Sequence, residues 1–294
     1  MKVLTIGSLN VDHVYAVDTF VRPGQTKHVR SLSTASGGKG LNQSIACARS
    51  GLPTAHLGQV GTDGQFLVDE LVAAGVDVRD VRVVDGPSGH AIIQVDATGQ
   101  NCILVYGGPN QELRREDVVA ALDGLDPDDV VLLQNETNLV EETLELVAAR
   151  GLRVALNPSP IAGAEDLPLE AVRWLFVNEG EGAALAGVSE PDAILDALAA
   201  RLPQTEVVLT LGAEGSVWAH DGVRERQAAH ATTVVDTTAA GDTFTGYFLR
   251  GVLEPVEGFS PLALASAASS VAISRPGAAP SIPTIDEVLA LLRS

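Results

Sequence analysis

Short apolar runs alternate with amphipathic helical stretches along most of this 294-residue chain, and that alternation constrains its fold more than any other feature. The runs "VLTIG" from Val3, "VVLLQNE" from Val130, "LRVALNPSP" from Leu152, "WLFVNEGE" from Trp174 and "VVLTLGAEG" from Val207 are strand-like and close on polar or glycine residues. Such runs read as strands buried on both faces. Helical patterns such as "VEETLELVAARG" and "PDAILDALAARL" lie between them. The alternation predicts parallel βαβ units and so an α/β fold, a doubly wound, mostly parallel sheet. Ligands of such sheets bind outside the carboxyl ends of the strands. Asn135, Glu136, Asn157, Asn178, Glu181, Thr210 and Gly212 fall there, and that row favours a site over ordinary turn chemistry.

Two stretches break the rhythm. "DTFVRPGQTKHVRSLSTAS", from Asp18 to Ser36, is long, polar and extended around a Pro-Gly turn. "SGHAIIQVDATGQNCILVYG", from Ser88 to Gly107, reads as a hairpin turning at "ATGQ". Together they predict a small sheet standing off the main layers, with segments at about 12–36 and 88–107 of a single domain spanning 1–294. Such a sheet serves as a lid over a site, as a dimer contact, or as both.

Charge and motif content narrow the function. The formal net charge of −19 argues against nucleic acid and against an anionic membrane surface, since both need clustered Lys and Arg. Cys47 and Cys102 form no CxxC pair, which speaks against a zinc site or a disulfide framework. The chain opens directly on the strand-like "KVLTIG", without the basic and apolar regions of a signal peptide, so a reducing cytoplasm is expected. A phosphate-binding G-x-x-x-x-G-K-[ST] loop, a dinucleotide G-x-G-x-x-G, a metal-spaced histidine cluster and a G-x-S-x-G elbow are all missing.

Two segments carry chemistry. In "GSLNVDH", Asn10 and Asp12 follow the first strand with a spacing that puts both side chains on one side. In "SGGKGLNQS", Gly37, Gly38 and Gly40 allow close backbone approach, and a helix expected from about Leu41 presents free N–H groups. Asn10, Asp12, Lys39 and Asn42 offer donors and acceptors suited to a polyhydroxylated molecule. Lys39 is one of only three lysines in the chain, the others being Lys2 and Lys27. The second segment is "VVDTTAAGDTFTG", Val234 to Gly246. Ala239, Ala240 and Gly241 are small enough to let their N–H groups meet a phosphate, and a helix expected from Asp242 to about Arg250 points its positive end there. Asp242 either caps that helix or accepts a hydroxyl proton; a base beside a helix end that stabilises phosphate charge is the combination that phosphoryl transfer requires.

"SGGKGLNQS" and "DTTAAGDTFTG" resemble the two signatures of the ribokinase-like (PfkB) sugar kinases. "GSLNVDH", "RPGQT", "ALNPSP", "NEGEGAALAG", "TLGAEGS" and "RPGAAPSIP" match that family in the same order, over nearly the whole chain. The resemblance implies a doubly wound domain with a β-sheet lid, a homodimer clasped through the lids, and transfer of the γ-phosphoryl of ATP to a primary sugar hydroxyl. It implies Asp242 as the base, Ala240 and Gly241 as the anion hole, and Asn10, Asp12, Gly38, Lys39, Asn42 and Glu136 as sugar contacts, with Ala91, Ile103 and Val105 covering the sugar. Asn178 and Glu181 match an element that orders Mg²⁺ and phosphate through water. Thr210, Gly212, Gly215 and Ser266 match the nucleotide pocket, while Leu41 replaces the alanine usual after "GGKG". The implied K⁺ site comprises Asp236, Thr238, Ala272, Arg275, Gly277 and Ser281, with Arg275 giving its carbonyl; the alternative is that Asp236 simply pairs with an arginine such as Arg275.

The branch most similar acts on D-ribose, giving D-ribose 5-phosphate. Relatives acting on deoxyribose, a hexose or a nucleoside are the alternative, and a non-catalytic sugar or nucleotide sensor is the rival from another class. The intact "AAGD" around Asp242 speaks against the sensor.

Overall fold

The computed structural model describes residues 1–294. Its strands are β1 (Val3–Ile6), β2 (Asn10–Ala16), β3 (Ser31–Gly37), β4 (Thr54–Val60), β5 (Asp77–Val83), β6 (Gly89–Val95), β7 (Asn101–Tyr106), β8 (Val130–Gln134), β9 (Arg153–Asn157), β10 (Trp174–Asn178), β11 (Glu206–Thr210), β12 (Ser216–His220) and β13 (Val223–Gln227). Its helices are α1 (Lys39–Arg49), α2 (Gln65–Ala73), α3 (Arg115–Asp123), α4 (Val140–Ala149), α5 (Glu179–Ala186), α6 (Pro191–Arg201), α7 (Ala240–Leu253), α8 (Pro261–Ile273) and α9 (Ile285–Leu292).

Nine strands make the main sheet, in the order β13-β12-β11-β10-β9-β8-β1-β4-β5. It is parallel from β11 to β5, and the β11–β12–β13 edge is antiparallel. Side chains alternate across a strand, so each buried strand feeds two cores. Leu175 and Val177 join Leu122, Leu144, Val147 and Leu198 from the α3–α6 side. Trp174 and Phe176 of the same strand join Phe244, Phe248, Ala265 and Val288 from α7, α8 and α9. Burial on both faces explains why these strands read as unbroken apolar runs.

The second sheet has the order β3-β2-β6-β7. It grows directly out of β1, because the chain runs through Gly7 to Leu9 into β2. The β6–β7 hairpin turns where the sequence predicts. Asp96 Oδ1 accepts from Thr98 N at 2.8 Å, Thr98 Oγ1 at 2.6 Å and Gln100 N at 3.1 Å. Ile103, Leu104, Val105 and Tyr106 of β7 are about half exposed or more, so both faces of this sheet keep apolar surface in water.

Two boundaries differ from expectation. α1 starts at Lys39 and α7 at Ala240, each two residues before the sequence-based start. The two helices pack so closely that a methyl on Gly246 would stand 2.5 Å from the Ala46 Cβ. No helix is long and apolar enough to cross a membrane.

Candidate active site

The site forms where α1 and α7 begin, above the carboxyl ends of the strands. Gly38 precedes α1 with φ of 96°, a left-handed conformation that side chains resist. The turn brings Lys39 N to Glu136 Oε2 at 2.9 Å, and Ser8 Oγ donates to the same oxygen. Asn10 is buried, and its Oδ1 accepts from Asn110 Nδ2 at 2.8 Å. Asp12 lies against Gly37, where a Cβ would collide with the carboxylate. Burial, and then the charge of Glu136, raise the Asp12 carboxyl to about 6. Burial draws the Lys39 ammonium down, but Asp242, Glu136 and Glu181 outweigh it and hold the net value above the ordinary one.

The small sheet reaches this place through its register. Ala91 lies beside Asp12 across β2 and β6, and Val105 lies opposite Ala91 on β7, so the three share a face. Ile103 falls on that face one rung further out. Ala91 is buried, whereas Ile103 and Val105 are 48% and 68% exposed, so that end of the face stands open.

Asp242 is the third residue of α7 rather than its cap. The N-cap is Ala239, at φ of 60°, and no side chain caps the helix end. The buried Asp242 carboxylate turns instead toward α1. Asn42 Nδ2 donates to Oδ2 at 3.0 Å and Gln43 Nε2 to Oδ1 at 2.9 Å. The helix end is thus left to a ligand, and the carboxylate is held by side-chain amides.

Two cavities meet at this helix end. One, of about 660 Å³, is lined by Thr210, Gly212, Gly215, His230 and Ser266 among others. The other, of about 310 Å³, is lined by Lys39, Asn157, Asn178, Glu181 and Asp242. Ala240 and Gly241 line both. Gly215 has φ of 101° and leaves no room for a Cβ against the Gln227 carbonyl. Ser266 Oγ bridges the wall, donating to Ala228 O and accepting from His230 N, each at 3.2 Å. Asn178 and Glu181 form a capping box at the start of α5, so each is partly committed to backbone N–H groups.

The segments around Asp236 and Gly277 also meet. Asp236 Oδ1 accepts from Thr238 N at 2.9 Å and Thr238 Oγ1 at 2.6 Å, and Oδ2 accepts from Gly277 N at 2.9 Å. Burial raises this carboxyl, and the donors of Thr238 and Gly277 more than reverse the effect, leaving it below the ordinary value. The alternative Asp236–Arg275 pair does not form; Arg275 Nη2 pairs with Glu287 Oε1 at 2.5 Å. Ala272 and Ser281 are buried beside these segments.

One residue of the strand-end row leaves the site. Asn135 Nδ2 donates to the carbonyls of Pro160 and Ala162 and ties down a loop. In return the structure brings in Ser8, Gln43, Asn110 and Gln134, which sequence reasoning passed over. Gln43 stands next to Asn42 in the quoted motif, on α1, and Gln134 ends β8 beside Asn135, so only Gln134 was within reach of the strand-end argument.

A carboxylate gripped by amides in the first turn of an uncapped helix, where two cavities join, suits a phosphotransferase that acts on a hydroxyl group. Similarity to known proteins makes the class specific. The chain belongs to the pfkB family of carbohydrate kinases, whose model matches residues 1–285. It is 33% identical over 298 residues to a ribokinase of Staphylococcus aureus, covering 98% of each chain. It is 28% identical to a deoxyribokinase of Salmonella typhi, covering 98% of this chain and 97% of that one. Its fold matches the structure of Arabidopsis thaliana ribokinase complexed with ribose and ATP, with a TM-score of 0.88, 30% identity, and coverage of 99% and 98%.

Proposed function

We propose that the protein phosphorylates D-ribose at its 5-hydroxyl, using ATP and yielding D-ribose 5-phosphate and ADP. The observation that carries this reading is the Asp242 carboxylate beside the open start of α7, where the two cavities join. The larger cavity takes the nucleotide, against Thr210, Gly212, Gly215 and Ser266. The smaller takes the phosphoryl end. The sugar lies toward Asn10, Asp12, Gly38, Lys39, Asn42 and Glu136. Asn42 Oδ1 is buried without a partner, an acceptor that a sugar hydroxyl satisfies. Ala91, Ile103 and Val105 close over the sugar as the lid descends.

In the reaction Asp242 accepts the proton of the attacking hydroxyl while its oxygen bonds to the γ-phosphorus and the bond to the β-phosphate oxygen breaks. The N–H groups of Ala240 and Gly241 meet the charge on the moving phosphoryl group, and the partly buried Lys39 supplies a cation nearby. Mg²⁺ fits through water. Glu181 accepts from Asn178 N through Oε2 alone, and no group of three or more acidic, His or Cys side chains gathers to form a cage. Bound with the nucleotide, Mg²⁺ neutralises phosphate charge. K⁺ fits beside Asp236, because the Arg275 and Gly277 carbonyls near it accept no hydrogen bond from the protein. Bound there, it would neutralise Asp236 and hold the turn leading into α7. The free thiols of Cys47 and Cys102 suit a reducing cytoplasm, and the apolar β7 suits a homodimer through the lids.

An ADP-release assay across pentoses, hexoses and nucleosides tests the assignment. Ribose is expected to be the best acceptor and 2-deoxyribose a poorer one; the reverse order would make the protein a deoxyribokinase. Asp242→Asn keeps size and removes the proton acceptor, so turnover is expected to fall at least ~10²-fold with sugar binding retained. Near-normal turnover would remove Asp242 from the base role.

A further inference from the structure

Behind Asp242 runs a buried line of amides that the reaction does not consume. Gln43 and Gln134 have no exposed surface. The Gln43 amide nitrogen donates to Asp242 Oδ1 at 2.9 Å and to Asn157 Oδ1 at 3.3 Å. Its oxygen accepts from Gln134 Nε2 at 2.7 Å. Asn157 is oriented in turn by its Nδ2, which donates to the Phe176 carbonyl at 3.0 Å.

The polarity of this line is forced from both ends. An ionised carboxylate and a backbone carbonyl only accept. Gln43 must therefore show its NH₂ to Asp242, and Asn157 must show its oxygen to Gln43. The Gln43 oxygen is then left toward Gln134, which must donate to it. That choice has a cost: Gln134 Oε1 is left buried without any partner, packed over Gly7, where even a Cβ would collide with it. An orphaned buried acceptor destabilises the fold, because it gives up hydrogen bonds to water and gains none in return. Turning the Gln134 amide over would give no relief, because two oxygens would then face each other. A chain selected for stability alone would replace Gln134 with an apolar side chain of similar shape.

We propose that Gln43 is a positioning residue for the catalytic base and that Gln134 is its lock. Together they fix one Asp242 oxygen on a short amide donor and aim the remaining lone pairs at the incoming hydroxyl. This rests on the reading of Asp242 as the base. Neither glutamine lines the two cavities, and neither keeps any exposed surface through which a ligand could reach it.

The test uses Gln43→Met, Gln134→Met, the double variant and Asp242→Asn, each in the full-length enzyme with ribose and ATP. Gln43→Met removes a hydrogen bond to a charged group and is expected to lower kcat about tenfold, with both KM values within about twofold. Losing a donor to the ionised form favours the protonated form. The acid limb of kcat, measured at saturating substrates, is therefore expected to move to higher pH in Gln43→Met. The same shift, smaller, is expected in Gln134→Met, although that side chain touches neither Asp242 nor a substrate. The double variant is expected to match Gln43→Met, because the lock has nothing left to hold. Thermal melts run alongside separate these effects from loss of fold. A wild-type kcat and pH profile in Gln43→Met overturns the positioning role, and additive losses in the double variant overturn the lock. An active Asp242→Asn enzyme refutes the base reading itself; an inactive one with unchanged glutamine variants refutes only the relay.

Discussion

Asp242 is a buried and Asp12 a partly buried carboxylate at the site, and their surroundings differ. Asp242 is met by two amide donors, whereas Asp12 faces Glu136 in a place with little water. Its carboxyl is raised from 3.8 to about 6. In that window the folded chain holds a proton that the unfolded chain has released, so the sugar-free enzyme loses stability as pH rises through it. Sugar hydroxyls reverse the preference by donating to the ionised form. The kcat/KM for ribose, which reports the free enzyme, is therefore expected to fall below about pH 6, with the KM for ATP steady. Asp12→Asn is expected to flatten that limb and to raise the ribose KM; a limb that persists unchanged belongs to another group.

At the scale of elements, the turn into α7 is held by one carboxylate, Asp236, through Thr238 and Gly277. If K⁺ stiffens this turn, kcat in K⁺ should exceed kcat in Na⁺ or a bulky organic cation at equal ionic strength, and Asp236→Ala should abolish the difference. Equal rates measured in K⁺-free buffer with sodium ATP would refute the ion and leave the kinase intact. Elements also show what was legible in the sequence. The five strands buried on both faces announced themselves, because apolar side chains fill most of their positions. β4 and β5 did not, since "TAHLGQV" and "DVRDVRV" mix polar with apolar residues near the edge of the sheet. The β12–β13 hairpin went unread although Asp221 and Gly222 take the positive φ of a tight two-residue turn. Asp242 and Asn42 were legible because a motif contains them, but the Gln43–Gln134 pair joins side chains 91 residues apart and exists only once the strands align.

At the scale of the whole molecule, the small sheet leaves apolar surface that a single chain does not cover. Leu32, Leu104 and Tyr106 are at least half exposed on the face turned from Asp12. A second lid is the covering the proposed dimer supplies. Light scattering is expected to give twice the 30.5 kDa chain mass, and Leu104→Asp is expected to halve it; a monomeric parent enzyme would contradict the clasp. The close seat of Gly246 on Ala46 bears on how such a protein changes over generations. The helix holding Asn42 and the helix holding Asp242 cannot slide past each other, so the alignment of these two side chains is a fixed property of the scaffold. The small β3-β2-β6-β7 sheet holds no such helix–helix seat. Under the proposed function, its strands could change the acceptor preferred while the two helices beneath kept Asn42 and Asp242 in register.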